Sequence, residues 1–115
     1  SLTAHQLELR RLKLKDIDDI MAIESMSFGR FHWSAHSFEQ EMNNRLARYW
    51  VVLHHEPDNR TIVVGYVGYW LVFDEIHITT LAVSPDYRQN ALGELLVAKV
   101  IEQAQSHSAR TVTLE

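Results

Sequence analysis

One segment, residues 81–96, limits the fold of this chain more than any other. It reads LAVSPDYRQNALGELL: an apolar strand ends at Val83, a polar turn with Pro85 and Arg88 follows, and a helix opens before Gly93. The first N–H groups of a helix have no partner within the helix, and the helix dipole adds partial positive charge there. A strand, a tight loop and a helix N-terminus in this order are typical of a pyrophosphate site, to which Arg88 would add a full charge.

Hydrophobic periodicity predicts alternating strands and helices in the rest of the chain. The expected strands are 6–14, 49–53, 61–73, 76–83 and 111–114, and the expected helices are 17–28, 35–46 and 92–104. Asp16 and Ser34 are predicted N-caps of the first two helices. The resulting order, β-α-α-β-β-β-α-β, is that of a mixed α/β (α+β) domain. Its middle strands form an antiparallel meander, and its last helix returns a parallel strand by a right-handed crossover.

Composition excludes several functional classes. The 115 residues match the size of one domain, assigned to 1–115, and 46% of them are apolar, enough for a core. A net charge of −4 argues against nucleic-acid binding, and the longest apolar run is far too short to span a membrane. A chain without cysteine has no thiol nucleophile and no zinc–thiolate site. With no visible signal peptide, we expect a soluble, cytoplasmic protein.

Segment 81–96 also carries a family resemblance. Val83, Pro85, Arg88, Ala91 and Gly93 fit V-x-P-x-x-[QR]-x-x-G-x-[GA], the acetyl-CoA motif of the GNAT N-acetyltransferase superfamily, except that the family prefers glycine at position 91. We expect the extra methyl group at that position to push a closely approaching phosphate outward. Within the superfamily, the chain most resembles the ribosomal-protein alanine N-acetyltransferases. The shared pieces are the FHWS turn at 31–34, the DE turn at 74–75, the LAVSP strand end and the final TLE.

The resemblance covers nearly the whole chain and implies a GNAT-like acyl-CoA N-acyltransferase fold, a mixed central sheet with helices on both faces. In that fold the two parallel strands splay apart, and the pantetheine arm of acetyl-CoA bonds the exposed strand backbone, here Leu81, Ala82 and Val83. The implied contacts of the pyrophosphate are Arg88, Gln89, Asn90, Ala91, Leu92, Gly93 and Glu94. Of these, Gln89 and Asn90 are expected to offer backbone N–H groups while their side chains face solvent.

Complete members of the family continue with another helix and usually a β-hairpin. We therefore expect the 115 residues to be a C-terminally incomplete domain, truncated after the start of the fifth strand. The exposed sheet edge of such a fragment is able to pair with another chain. The sequence does not determine the oligomeric state, and a dimer is one candidate.

Acetyl transfer to an amine requires a neutral amine, a group that stabilises the developing oxyanion, and a proton for the departing thiolate. By resemblance, Glu115 in the final Thr-Leu-Glu is the general base and acts through water. Backbone N–H groups of 81–83 could hold the thioester oxygen. The proton donor of the family would be a tyrosine beyond residue 115. The alternative interpretation of Glu115 is a solvated strand residue.

Two further groups of residues are ambiguous. The aromatic turn 31–33 is either a hydrophobic plug between two helices or the mouth of the acceptor site. The histidines at 32, 36, 54, 55 and 77 lack the spacing of metal ligands, and His54 and His55 are expected to be solvated. We therefore expect no metal cofactor.

Three functions stay open from the sequence. The first is an acetyl-CoA-dependent N-acetyltransferase that acts on a protein N-terminal α-amine, in the manner of the ribosomal-protein alanine type. The second is an enzyme of the same fold that acts on a small-molecule amine. The third is a CoA-binding module without catalysis, which the residue at position 91 and the missing tail would favour.

Overall fold

A computed structural model describes residues 3–29 and 33–114, apart from the side chain of Ala4. The strands are β1 Leu7–Arg11, β2 Ala47–His55, β3 Thr61–Val72, β4 Glu75–Val83 and β5 Thr111–Leu114, and the helices are α1 Ile17–Phe28, α2 Ala35–Met42 and α3 Leu92–Ser106. Their order is the predicted β-α-α-β-β-β-α-β. The predicted base Glu115 and the aromatic residues Phe31 and His32 lie outside the described residues.

The five strands form one mixed sheet in the order β1-β2-β3-β4-β5. Neighbours from β1 to β4 are antiparallel, whereas β4 and β5 are parallel and pair from Glu75↔Thr111 to Ile78↔Leu114. The meander and the returning parallel strand are therefore confirmed. Because parallel strands need a crossover connection, α3 is the element that returns the chain.

Helices cover both faces of the sheet, as predicted. Successive strand residues point to opposite faces, so β2 directs Tyr49, Val51 and Leu53 towards α1 and α2 and directs Val52 towards α3. The apolar stripe of α3 at Leu92, Leu96, Val100 and Ala104 fills the second layer. Its spacing of four residues is that of one face of a helix.

Asp16 is the N-cap residue of α1, as predicted, but its side chain makes no capping hydrogen bond to that helix. Its buried carboxylate accepts two hydrogen bonds from the Arg10 guanidinium, at 2.7 and 2.9 Å, and one from the Lys13 N–H, at 2.7 Å. Burial raises the pKa of Asp16, but these donors outweigh burial and hold the pKa below its ordinary value. The carboxylate thus ties β1 to the start of α1. Ser34 does cap α2, because its hydroxyl accepts from the Ser37 N–H at 3.1 Å.

Some boundaries differ from the sequence prediction. The first strand ends at Arg11 because residues 14–16 form a turn of 3₁₀ helix, and α2 ends at Met42, so Leu46 lies outside it. β2 extends further in both directions than the predicted 49–53, and its last residues pair with β3 as far as His55↔Thr61.

Gly68 is required by close packing, and this gives a stability prediction. It pairs with Tyr49 across the sheet, and a Cβ at position 68 would overlap the Tyr49 ring. That ring is 4% exposed, and its hydroxyl donates to Glu41 at 2.9 Å, so it has no room to retreat. We expect Gly68→Ala to lower the free energy of unfolding by about 3 kcal/mol, measured by urea denaturation.

Gly93→Ala is the matched control, because a Cβ there meets nothing within 4 Å. Since Gly93 is helical, alanine should leave the stability unchanged or raise it by roughly 0.5–1 kcal/mol. Equal losses in both variants would show that the contact with Tyr49 is not the cause.

Candidate functional site

A cavity of about 470 Å³ opens where β4 ends and α3 begins. Six of the seven residues predicted to contact a pyrophosphate line it, Asn90 being the exception. Among the described residues, its lining consists of Val83, Tyr87, Arg88, Gln89, Ala91, Leu92, Gly93 and Glu94. The sequence motif and the cavity therefore fall on the same loop and helix start.

The loop before α3 turns its backbone amides towards one side. Gln89 and Ala91 both have left-handed backbone conformations, with φ of 71° and 59°. The first backbone hydrogen bond of the helix runs from Leu95 N–H to Ala91 O at 3.1 Å, and within the described chain no side chain caps the helix. Left-handed residues in a tight turn form concave nests of N–H groups that bind anions. Together with the helix dipole, this geometry suits a phosphate group.

Asn90 braces this loop from within. Its side-chain amide donates to the carbonyl of Tyr87 at 3.1 Å and to that of Arg88 at 3.3 Å. The expectation that this side chain faces solvent is therefore wrong, because two loop carbonyls need a donor. Gln89, by contrast, is exposed as expected.

The Arg88 guanidinium lies between the strand end and α1. Its Nε donates to the Val83 carbonyl at 3.3 Å, and its Nη2 lies 3.4 Å from the Ser27 hydroxyl. Both bonds are long and the side chain is exposed, so the charge is held loosely at the cavity. An anion bound by α3 would compete with these two weak partners for the guanidinium.

The end of β4 exposes part of its backbone on the side away from β3. Ser84 N–H donates to Val64 O on β3 at 2.8 Å. Along an antiparallel strand, successive residues direct their backbone N–H and C=O groups alternately towards and away from the neighbouring strand. The backbone groups of Ala82 therefore point towards β3, and those of Leu81 and Val83 point away from it. In the described chain, β5 pairs with β4 only as far as Ile78. Of the three predicted pantetheine contacts, the backbones of Leu81 and Val83 thus lie on the open edge.

A bulge bends β4 where the pairing with β5 stops. Gly68 pairs with Thr80 and Tyr69 with Ile78, so Thr79 is the extra residue. A bulge increases local twist and turns a strand away from its neighbour. Thr79 therefore lies between the part of β4 that pairs with β5 in the described chain and the cavity-lining residues Leu81 and Val83.

A second cavity, of about 340 Å³, lies along the same edge. It is lined by Glu24, Phe28, Trp33, Thr79, Thr80, Leu81 and Leu114. Leu81 in this cavity and Val83 in the first one are two residues apart on β4, so the open edge connects the two cavities. Trp33 of the aromatic turn reaches the second cavity, as the acceptor-mouth interpretation expected, and also packs edge-on against Phe38, as a plug would.

His54 stabilises the turn beneath the first cavity. The prediction that His54 is solvated is wrong. It is 9% exposed, and its Nδ1 lies 2.7 Å from the Tyr87 hydroxyl, with the two rings edge to face. Burial raises the pKa of the Tyr87 hydroxyl, which keeps it protonated. The extension of β2 places His54 against the 3₁₀ turn Pro85–Tyr87. Sequence reasoning missed this pair because its members are 33 residues apart.

Among residues 3–29 and 33–114, no group of three or more histidine, aspartate or glutamate side chains could hold a metal ion. No helix in the described part of the chain is long and apolar enough to cross a membrane.

Comparison with known proteins gives matches over most of the chain. The sequence model of the acetyltransferase (GNAT) family matches residues 17–115. A Bacillus subtilis (strain 168) protein, named for ribosomal protein bS18-alanine N-acetyltransferase activity, is 37% identical over 108 residues, which are 93% of this chain and 68% of that protein.

Two solved structures share the fold. The ribosomal-protein-S18-alanine N-acetyltransferase from Escherichia coli superposes with a TM-score of 0.77 at 20% identity, covering 94% of this chain. The chain spans 65% of the length of that structure. The PaiA N-acetyltransferase from Thermoplasma acidophilum, in complex with coenzyme A, superposes with a TM-score of 0.71 at 11% identity. The superposition covers 90% of this chain and 74% of the PaiA chain.

The left-handed conformation of Ala91 gives a prediction. A left-handed backbone costs a residue with a Cβ about 1–2 kcal/mol, whereas glycine loses only about 0.5–1 kcal/mol of conformational freedom. Ala91→Gly should therefore raise the free energy of unfolding by about 0.5–1 kcal/mol in urea denaturation.

Ala98→Gly, at an exposed position inside α3, serves as the matched control and should lower the stability by about 1 kcal/mol. A loss in both variants would contradict the left-handed backbone at position 91.

Proposed function

Because the chain belongs to the acetyltransferase (GNAT) family, we propose that it transfers an acetyl group from acetyl-CoA to a primary amine, namely the α-amine of a protein N-terminus. The amine attacks the thioester directly in a ternary complex. The observation that carries the proposal is the cavity at the start of α3, which the motif residues line.

The first cavity receives the pyrophosphate of acetyl-CoA. The N–H groups of 92–94 at the start of α3 point towards a bound anion, and Arg88 leaves its weak partners to add a full charge. A Cβ at Gly93 meets nothing within 4 Å, so the space beside that backbone is open to a phosphate. The same fold carries coenzyme A in the Thermoplasma acidophilum structure, which supports this cosubstrate.

The pantetheine arm follows the open edge of β4 from the first cavity to the second. The outward backbone groups of Leu81 and Val83 bond the amides of the arm, and an N–H of this edge holds the thioester oxygen as negative charge develops. The acetyl group then lies beside the second cavity, where the acceptor enters. The transfer needs no covalent intermediate on the protein, so a chain without cysteine is sufficient.

Glu115 is the general base in this proposal and takes the proton of the amine through water. Leu114, which precedes it, lines the second cavity, and this supports the proposed role. An α-amine has a pKa of about 8, well below the value of about 10.4 for lysine, so it requires less help from a base.

The acceptor class rests on the Bacillus subtilis relative, whose name specifies an alanine at the N-terminus of a ribosomal protein. Such an acceptor would place the enzyme in the cytoplasm. A panel of three acceptors tests this choice, each with acetyl-CoA and the natural full-length protein. The acceptors are a peptide with N-terminal alanine, the same peptide with an acetylated N-terminus and an internal lysine, and a small diamine. Transfer to the first alone is expected. Transfer to the diamine alone would indicate a small-amine enzyme, and CoA binding without any transfer would indicate a binding module.

Arg88→Glu tests the pyrophosphate site. Hydrogen bonds to charged groups contribute about 1.5–3 kcal/mol, so charge reversal at this place should weaken CoA binding roughly 10- to 100-fold, measured by calorimetry.

Arg45→Glu changes the net charge equally at an exposed position in the loop after α2, and its CoA affinity should match that of the wild type. If Arg88→Glu also binds CoA normally, the first cavity is not the pyrophosphate site.

A further inference from the structure

We propose that Glu24 is the residue that receives the amino group of the acceptor, as a cation, in the second cavity. This inference rests on the proposed acetyl transfer and adds the recognition of the amine to it. Neither the motif at the start of α3 nor the base predicted on β5 supplies this contact.

Glu24 lies on the face of α1 that packs against the sheet. It follows Ile23 in the buried stripe that begins with Ile17 and Ile20, and it is 3% exposed. An apolar side chain would fill that stripe without the large cost of taking a carboxylate out of water. A carboxylate at such a position indicates a ligand or a polar network that uses its charge.

Glu24 does belong to a polar network, which fixes its orientation. The hydroxyl of Tyr66 on β3 donates to Glu24 Oε2 and lies 3.2 Å from the hydroxyl of Thr80 on β4. Tyr66 is fully buried, so its hydroxyl has a fixed position from which it orients the carboxylate. An ionised carboxylate accepts about four hydrogen bonds, so the bond from Tyr66 does not preclude an ammonium group as a further partner.

The position of Glu24 matches the chemistry of the proposed transfer. Glu24 lines the second cavity together with Leu81 of the open edge and Leu114, the residue before the predicted base. An amine held there has the thioester path on one side and the end of β5 on the other. Near neutral pH an α-amine is mostly protonated, so a buried carboxylate attracts it in the form that solution supplies.

The two carboxylates then have separate tasks. Glu24 binds the ammonium group, and Glu115 accepts one of its protons through water. The neutral nitrogen attacks the acetyl carbon, the carbon–sulfur bond breaks, and a second proton of the nitrogen is lost as the thiolate of CoA gains one. The products are the acetylated amine and CoA, with one proton released overall.

Glu41 provides a matched control. It is also a buried carboxylate, 7% exposed, that accepts from a tyrosine, Tyr49, at 2.9 Å, and from Trp70 Nε1 at 2.7 Å. It lines a separate cavity of about 120 Å³, away from the open edge of β4. Substitution there removes the same charge from a similar network without touching the proposed amine site.

The experiment measures binding of two peptides to the natural full-length protein saturated with CoA, by calorimetry. One peptide begins with alanine, and the other carries a propionyl group in place of that alanine, which keeps the shape and removes the amine. The wild type should bind the amine peptide at least tenfold more tightly. Glu24→Gln should lose this preference, whereas Glu41→Gln and Glu115→Gln should keep it.

Steady-state kinetics with the same amine peptide separate the two carboxylates. Glu24→Gln should raise the KM for the peptide at least tenfold and leave the KM for acetyl-CoA unchanged. Glu115→Gln should instead lower kcat. If Glu24→Gln does not fold, Tyr66→Phe, which removes the hydroxyl that orients the carboxylate, should weaken the preference for the amine.

Three results would overturn the proposal: equal binding of both peptides by the wild type, binding of neither, or a preference that survives Glu24→Gln. Peptide acetylation by the wild type combined with a preserved preference in Glu24→Gln would refute the role of Glu24 and leave the proposed function standing. A preference that depends on Glu24 without transfer to any amine would support the amine site and refute the transfer.

Discussion

The structure depends on the one-sided pairing at the end of β4. Hydrogen bonds to β3 hold Ala82 and Ser84, while the alternate residues Leu81 and Val83 direct their backbone groups to the opposite, open edge. Exposed strand edges normally invite pairing with another strand. Here the edge lies between two cavities, one at the start of α3 and one beneath α1. An extended ligand can reach its backbone donors and acceptors once it displaces the long bond from Arg88 Nε to Val83 O.

The bulge at Thr79 makes the register of β4 irregular next to its parallel pair. The extra residue follows directly after Ile78, the last residue of β4 that pairs with β5 in the described chain. The Thr79 hydroxyl donates to Gly68 O at 3.3 Å and helps to stabilise the irregular register. Gly68 is itself needed there because the Tyr49 ring covers it. The packing of one aromatic ring thus supports the irregular register of β4.

The sequence was sufficient to predict features that depend on residues close together in the chain or on a motif. The element order and the cap at Ser34 followed from periodicity and from residues within one turn of one another, and the helices on both faces followed from the family resemblance. The predicted position of Asp16 was correct, but its bonding was missed because both carboxylate oxygens accept from Arg10, six residues away. Glu24 stood in the apolar stripe of a predicted helix, and that signal was available. Its partner Tyr66 is 42 residues away and could be found only in the fold.

Position 91 shows how a local departure from a motif is understood through its surroundings. The sequence alone indicated that the methyl group of Ala91 would push a closely approaching phosphate outward. The structure adds a backbone cost, because alanine at this place adopts the left-handed conformation that glycine adopts freely. The loop keeps its shape despite that cost because other contacts determine it: Asn90 bonds two loop carbonyls, and Tyr87 bonds buried His54. A loop held by its neighbours presents its amides without needing the ligand to order them, and such preorganisation favours binding.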